Sequence, residues 1–258
     1  MKLLHSSIVA LALLVGPAVA ADSACPGFFV GAKAPDLPAV DAGTTELCSE
    51  AFVVSVSPAT MDPVYSAEHL TPAGLAAAVQ LDRVDAFHAD PRVPAASRAE
   101  LSDYAGGDYD RGHMAPAGDM PTASAQRESF ALSNMVPQVP NNNRGIWAHI
   151  EERVRRETVL RNEAWVISGP LFFGVPHRLN GRVMIPARLW KAVYMPANDA
   201  AMTPALAGAY IVDNAADATP EIISIADLAV KIGFDPMPGL PAEMSQVANL
   251  PRVGKGSK

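Results

Sequence analysis

The chain has 258 residues, of which 49% are hydrophobic and 18% are charged, and its formal net charge at pH 7 is −7. This length and composition support a sizeable core in one large domain or two small ones. The acidic balance argues against a protein that attracts a polyanion over a broad surface, although a local arginine site with a divalent metal can still bind one phosphate.

The first twenty residues combine a basic start, an apolar run and a small-residue end. Lys2 precedes the apolar run 8–15 and the segment Ala18-Val-Ala20, an order typical of a secretory signal. We therefore expect a signal peptide over residues 1–20, cut after Ala20, and a periplasmic or secreted protein. A membrane anchor is the alternative, but the run is shorter than the ~20 residues that span a bilayer. No membrane partner is expected, because no later stretch is long and apolar enough.

Residues 21–50 are rich in Pro, Gly and Ala and are predicted to form an extended arm. This arm carries both cysteines of the chain, Cys25 and Cys48, which would enter an oxidising compartment together after export. We predict a disulfide between them that tethers the arm. Two inert buried thiols are the alternative.

The main domain is predicted over residues 51–245, followed by a flexible C-terminal tail, 246–258. Hydrophobic periodicity, caps and turn residues predict strands at 52–56 and 64–65, a helix at 73–81, a loop-rich stretch at 85–107, a strand at 109–114, helices at 124–132 and 143–156, and strands at 165–168, 183–185, 189–195 and 209–212. Strands on both sides of a central helix indicate an α+β domain.

Three segments concentrate residues that are able to bind a metal or transfer protons: 108–113, 133–138 and 141–151. On a continuous helix, Asn143 and Glu151 are two turns apart and share a face. A helix that begins at Asn143 would also present free N–H groups and a positive dipole end to a phosphate.

These segments resemble the DNA/RNA non-specific endonucleases, whose active site is a ββα-metal (His-Me finger) module. The matching motifs are Asp110-Arg-Gly-His113, Asn134-x-x-Pro-Gln138 and Asn143-x-Gly-x-Trp-x-x-x-Glu151, with Ser168-Gly-Pro and Trp190-Lys191 further along. The likeness runs from about residue 52 to about residue 241. It implies an α+β fold with an antiparallel sheet core and a ββα-metal module. It also implies hydrolysis of DNA and RNA with Mg²⁺, for which Mn²⁺ is an alternative.

The resemblance assigns three central roles. His113 would be the general base, Asn143 the metal's protein ligand, and Glu151 the group that orients metal-bound waters. The residue types agree with these roles, because a neutral imidazole accepts protons near neutral pH and a carboxamide oxygen suits Mg²⁺. The alternatives are a structural histidine in a turn for His113 and an N-cap for Asn143.

The same resemblance implies roles for five neighbouring residues. Arg111 would hold the phosphate, and Arg83 and Arg144 are further phosphate contacts. Asn134 would position the metal waters or His113, and Asp110 would support the local structure or orient a neighbour.

Other interpretations of the charged residues are weaker. A calcium or zinc cluster would use Asp103, Asp108, Asp110 and His113, but their spacing fits neither a Ca²⁺ loop nor a zinc-protease helix. Arg153, Arg155 and Arg156 form either a solvated helix face or a nucleic-acid contact.

A second function is a catalytically inactive, secreted protein of the same fold that binds nucleic acid or metal. The presence of His113, Asn143 and Glu151 together argues against it. The sequence leaves open whether the chain forms a homodimer and whether DNA or RNA is preferred.

Overall fold

The computed structural model describes residues 23–38, 41 and 43–254, and its largest element is a seven-stranded antiparallel sheet. The strands in chain order are β1 (Thr45–Cys48), β2 (Val53–Val56), β3 (Pro63–Leu70), β4 (Asp110–His113), β5 (Met135–Gln138), β6 (Ala164–Leu171), β7 (Arg178–Leu179), β8 (Val183–Met184), β9 (Arg188–Met195), β10 (Leu206–Asp213) and β11 (Glu221–Ile223). The main sheet has the spatial order β1-β2-β3-β6-β9-β10-β11, while β4 pairs with β5 and β7 with β8.

The helices are α1 (Pro72–Ala78), α2 (Ala123–Ser129), α3 (Ala148–Arg161), α4 (Ile225–Ile232) and α5 (Ala242–Ser245); the first three lie between strands in the chain, and the last two follow β11. Hydroxyl caps begin three of them, since Thr71, Thr122 and Ser224 accept from the N–H groups of Gly74, Ala125 and Asp227. Among the residues described, no helix is both long and apolar enough to cross a lipid bilayer.

Both faces of the sheet are covered. The arm, α4 and the following loop pack on one face, around Phe29, Tyr65 and Trp190. On the other face lies α3, whose buried Ile150 and Val154, together with Trp147 just before the helix, pack against β6 and β9. Each such large apolar side chain contributes roughly 1.5–3 kcal/mol when fully buried, so α3 is held firmly against the sheet.

β4, β5 and α3 form the ββα module on this second face, and the predicted α+β fold with an antiparallel sheet core is thereby confirmed. Gly112 lies on β4 next to the Gln138 side chain, and a Cβ at this position would overlap it. Gln138 in turn donates from Nε2 to Asn142 Oδ1 at 2.7 Å. This close contact explains why the two β-strand motifs need a glycine on one strand and a glutamine on the other.

The predicted helix 143–156 is not continuous. A π-helical turn, Asn142–Trp147, precedes α3, and Gly145 within it has non-helical angles (φ −114°, ψ −105°). The expectation that a continuous helix places Asn143 and Glu151 on one face is therefore wrong, because the helix is interrupted between the two residues.

The two ends of the described chain are more ordered than expected. The disulfide between Cys25 and Cys48 is confirmed, but the arm is not simply extended, since it forms 3₁₀ turns at Pro26–Phe28 and Val30–Ala32 before β1. Leu250 is buried, and Tyr210 donates from its hydroxyl to the carbonyl of Pro251 at 2.6 Å. The expected flexible tail is thus wrong for residues 246–254, which pack on β10. The expected signal peptide, 1–20, lies outside the described residues.

Candidate active site

A cleft of about 820 Å³ opens between the ββα module and the loops before β4. Six of the seven residues expected to act on substrate or metal line it: Arg83, Arg111, His113, Asn143, Arg144 and Glu151. The structure therefore brings together side chains that are up to 68 positions apart in sequence.

His113 ends β4 and lies at the bottom of the cleft, with 8% of its surface exposed. Its ring is 4.9 Å from that of Phe130 and 5.8 Å from that of Phe87, between centroids. Within the described chain its Nε2 has no hydrogen-bond partner. Burial, assisted by the charge of Arg83, lowers the pKa of His113 to about 3. The imidazole is consequently neutral at ordinary pH and offers a proton acceptor inside the cleft.

Asn143 is held by the carboxylate of Asp110. The Asn143 Nδ2 donates to Asp110 Oδ2 at 2.9 Å, which directs the amide oxygen of Asn143 away from this contact. No helix cap is made by the Asn143 side chain, and its backbone N–H donates to the carbonyl of Val139 at 2.9 Å. The N-cap alternative and the expected free N–H groups at Asn143 are both wrong.

The arginines of the cleft differ in how strongly carboxylates already bind their guanidinium groups. Arg111 lies with its guanidinium carbon 4.1 Å from the centroid of Phe87 and makes no ion pair among the residues described. Arg83 stacks over Phe130 at 5.0 Å and pairs with the exposed Asp85. Arg144 is instead bound by both oxygens of Asp110, at 2.8 and 2.6 Å. Arg111 and Arg83 are therefore better placed than Arg144 to contact a phosphate.

Glu151 lies half-buried on α3 in the same cleft. Desolvation raises the pKa of its carboxyl to about 7, although Lys191 and Arg155 lower it. A cation beside Glu151 would favour the ionised carboxylate. His113 and Asn143 line the same cleft as Glu151, and the amide oxygen of Asn143 makes no hydrogen bond among the described residues. This donor set, rich in oxygen and with room for water, fits a hydrated hard cation such as Mg²⁺.

Asn134 does not line the cleft, contrary to the expectation that it positions metal waters or contacts His113. It is fully buried, and its amide has all four of its hydrogen bonds within the protein. Oδ1 accepts from the Ser66 hydroxyl and the Ala115 N–H, and Nδ2 donates to the carbonyls of Ala115 and Ser129. The residue holds the backbone that follows His113 rather than contacting reactants.

Arg155 is a cleft residue that the sequence interpretation grouped with Arg153 and Arg156 and did not single out. It lies one helical turn after Glu151, lines the cleft, and donates from Nη1 to the buried Asp119 at 2.8 Å. The solvated-face interpretation is wrong for Arg155, although Arg156 is exposed and pairs with Glu152. The four-residue spacing from Glu151 was the available signal.

The alternative calcium or zinc cluster is not formed. Asp103 pairs with Arg182 and caps the backbone of Glu100, outside the cleft. Among the described residues, the one group of three acidic, histidine or cysteine ligands is Cys25, Glu46 and Cys48, and its two cysteines form the disulfide.

Comparison with known proteins agrees with the geometry of the cleft. A family model described as DNA/RNA non-specific endonuclease matches residues 36–243. Nuclease C1 of Cunninghamella echinulata var. echinulata is 37% identical over 174 residues, covering 62% of this chain and 69% of that one. The mitochondrial nuclease EXOG of Homo sapiens is 33% identical over 187 residues, covering 67% of this chain, which spans about half (50%) of the length of EXOG.

A solved structure is also similar. The crystal structure of the EndoG/EndoGI complex, described as showing the mechanism of EndoG inhibition, contains a chain with a TM-score of 0.67 and 26% identity. The match covers 81% of the present chain and 92% of that one.

The expected periplasmic or secreted location is wrong. Human EXOG and further relatives, from mouse and from Schizosaccharomyces pombe, are named as mitochondrial nucleases. The secretory interpretation of residues 1–20 depended on the order of charged, apolar and small residues alone.

Proposed function

Because this chain belongs to the DNA/RNA non-specific endonuclease family, we propose that it is a metal-dependent endonuclease that hydrolyses phosphodiester bonds of both DNA and RNA. One observation carries the proposal: His113, Asn143, Glu151 and the stacked Arg111 converge on a single cleft. The acidic net charge does not oppose it, since the positive charge needed to bind one phosphate is present locally.

His113 is the proposed general base. Its imidazole is neutral because burial lowers its pKa to about 3, and it receives the proton of the attacking water. The rings of Phe87 and Phe130 keep the imidazole in one orientation. Positioned general bases contribute roughly 10²–10⁴-fold to rate.

Asn143 Oδ1 would hold the metal, and Glu151 would orient the waters bound to it. Asp110 supports this arrangement because it binds the Asn143 amide nitrogen and leaves the oxygen free. When bound, Mg²⁺ supplies positive charge to the scissile phosphate and the leaving 3′ oxygen, and Mn²⁺ suits the same oxygen-rich site.

Arg111 is the proposed phosphate-binding residue. Its planar guanidinium is able to bind two phosphate oxygens, and stacking on Phe87 orients it without neutralising its charge. Arg83 is a second contact, and it stacks on Phe130, the other ring beside His113.

The test uses the full protein with plasmid DNA, single-stranded DNA and RNA. Cleavage of all three is expected with Mg²⁺ and none with EDTA. His113→Ala should abolish turnover while DNA binding is retained, whereas His177→Ala, at an exposed histidine outside the cleft, should be fully active. Cleavage that survives the chelator, or binding without cleavage by the unmodified protein, would favour the inactive binding protein instead. A homodimer remains a prediction from the sequence.

A further inference from the structure

Lys191 is a buried cation beneath the cleft that the proposed reaction does not use. It lies on β9 with 1% of its surface exposed. Its cross-strand partner on β6 is Ser168, and that residue pairs with Ser66 on β3. The three side chains therefore form a row across the face of the sheet that carries the ββα module.

The ammonium group of Lys191 reaches from the sheet to the strand that carries His113. Nζ donates to the Ser168 hydroxyl at 2.6 Å and to the carbonyl of Met114 at 3.4 Å. It also lies 4.9 Å from the ring centroid of Trp147. Lys191 thus contacts Met114, the residue after His113, and also Trp147, which lies just before α3 and bonds to the His113 carbonyl.

Three side chains from separate elements hold the backbone at residues 113–115. Trp147 donates from Nε1 to the carbonyl of His113 at 3.3 Å, and Lys191 donates to the next carbonyl. Asn134 then binds both the N–H and the carbonyl of Ala115. Of these three, Lys191 is the one with a formal charge.

Acidic side chains lie near Lys191 between the sheet and the cleft, and burial raises the pKa of each of them. Glu68 and Asp119 are both buried, and both interact electrostatically with Lys191, as does Glu151 in the cleft. Arg155 is the second cation of this cluster. An ammonium buried among unpaired groups costs several kcal/mol, so its position here depends on these carboxylates and on the two oxygens it binds.

From this geometry we infer that Lys191 is a positioning residue for the reaction: it holds the Met114 carbonyl and thereby places His113 relative to the bound phosphate. The inference rests on the proposed role of His113. A misplacement of about 1 Å in a reacting group lowers a rate by as much as about 10²-fold. The loss of Lys191 should therefore affect the catalytic step more than substrate binding, which depends on Arg111.

The experiment compares Lys191→Met, a substitution of similar length without charge, with Lys231→Met at an exposed lysine on α4. Lys191→Met is expected to lower kcat by about 10- to 100-fold with KM changed by less than about threefold. Lys231→Met should match the unmodified protein. Full activity in a folded Lys191→Met protein, or a rise in KM with unchanged kcat, would overturn the inference.

A double-mutant cycle separates positioning from general damage. If Lys191 acts through His113, then adding Lys191→Met to His113→Ala should change the residual single-turnover rate by less than about twofold. If Lys191→Met lowers the rate of the His113→Ala variant by the same factor as that of the unmodified protein, Lys191 acts on the whole cleft. That result would refute the positioning role of Lys191. If the Lys191→Met protein does not fold, the Ser168→Ala variant tests the role of Lys191 instead. It removes the 2.6 Å partner of the ammonium and should lower kcat, and an unchanged kcat would overturn the inference.

The outcomes also distinguish this inference from the proposed function. An inactive unmodified protein, or an active His113→Ala variant, contradicts the proposed function itself. An inactive His113→Ala variant alongside a fully active Lys191→Met variant contradicts only the role of Lys191.

Discussion

Two asparagines of the ββα module should respond oppositely to the same substitution. Asn134 is fully buried and makes four hydrogen bonds, whereas the half-buried Asn143 makes one side-chain bond, to Asp110. We expect Asn134→Ala to lower the free energy of unfolding strongly. We expect Asn143→Ala to leave this free energy nearly unchanged and to abolish metal-dependent turnover.

The magnitude for Asn134→Ala follows from the groups that lose their partner. The carbonyls of Ala115 and Ser129 and the N–H of Ala115 stay buried without a hydrogen bond, while the Ser66 hydroxyl is free to rotate. Each unsatisfied group costs about 1–3 kcal/mol, and effects within one network are not additive. We expect a total loss of about 3–5 kcal/mol. For a domain of this size the melting temperature should fall by roughly 10 °C or more.

The assays are urea denaturation, with the disulfide intact, and cleavage kinetics at a temperature where both variants are folded. Asn143→Ala should change the free energy of unfolding by less than about 1 kcal/mol, as one partly exposed hydrogen bond implies, and should lower kcat by about 10²-fold or more. The reasoning is refuted if Asn134→Ala keeps the stability of the unmodified protein but loses turnover to the same degree as Asn143→Ala, because Asn134 would then act in the chemistry.

Three further predictions concern the strand contact, the imidazole and the disulfide. Gly112→Ala should destabilise β4 against β5 by about 1–3 kcal/mol, the usual cost of overpacking, because its Cβ overlaps Gln138; a neutral effect in thermal unfolding would disprove this. In EDTA, the lowered pKa of His113 means that the unfolded state binds the extra proton between about pH 3 and pH 6.5. The free energy of unfolding should fall with decreasing pH in that window by up to about 1.4 kcal/mol per unit, and His113→Asn should remove this slope. Cys25→Ser with Cys48→Ser should cost about 3 kcal/mol of stability and leave kcat unchanged, since neither cysteine lines the cleft.

Short motifs predicted most of the candidate site because each motif is a local segment that the fold uses as a unit. Asp110 to His113 is one strand, and Asn143 and Glu151 lie in the next helical segment of the module. Arg83 lies outside these segments, and it is the stacking on Phe130 that brings it to the cleft. Such a contact between distant loops is not visible in a spacing pattern.

Asn134 shows why motif membership does not assign a role. Residues that touch the reactants and residues that hold the backbone beneath them occur together in one motif, and both are intolerant of change. Its partners Ser66, Ala115 and Ser129 come from three elements, so their convergence requires the folded sheet. The sequence alone therefore predicted that Asn134 lies near the site, but not that its side chain is buried beneath the cleft.

Residue type was reliable for the strands, and periodicity was less reliable for the helix. Runs rich in β-forming residues and bounded by Gly, Pro and Asn were sufficient to predict β6, β9 and β10, although each strand is longer than expected and is buried along nearly all of its length. The interruption at Gly145 has no periodic signature, because the apolar residues before and after it still pack on the same core. α4, in contrast, has a capping serine, Ser224, and a glycine at its end, and these signals were available but not used.

The two phenylalanine rings beside His113 have a consequence for engineering this cleft. Phe130 and Phe87 each contact the imidazole, and each ring also stacks with one arginine, Arg83 on Phe130 and Arg111 on Phe87. Redesign of either ring would move the proton acceptor and an anion contact at the same time. Changes in substrate preference are better sought at the rim of the cleft, at Leu101 for example, where a new side chain leaves that shared support intact.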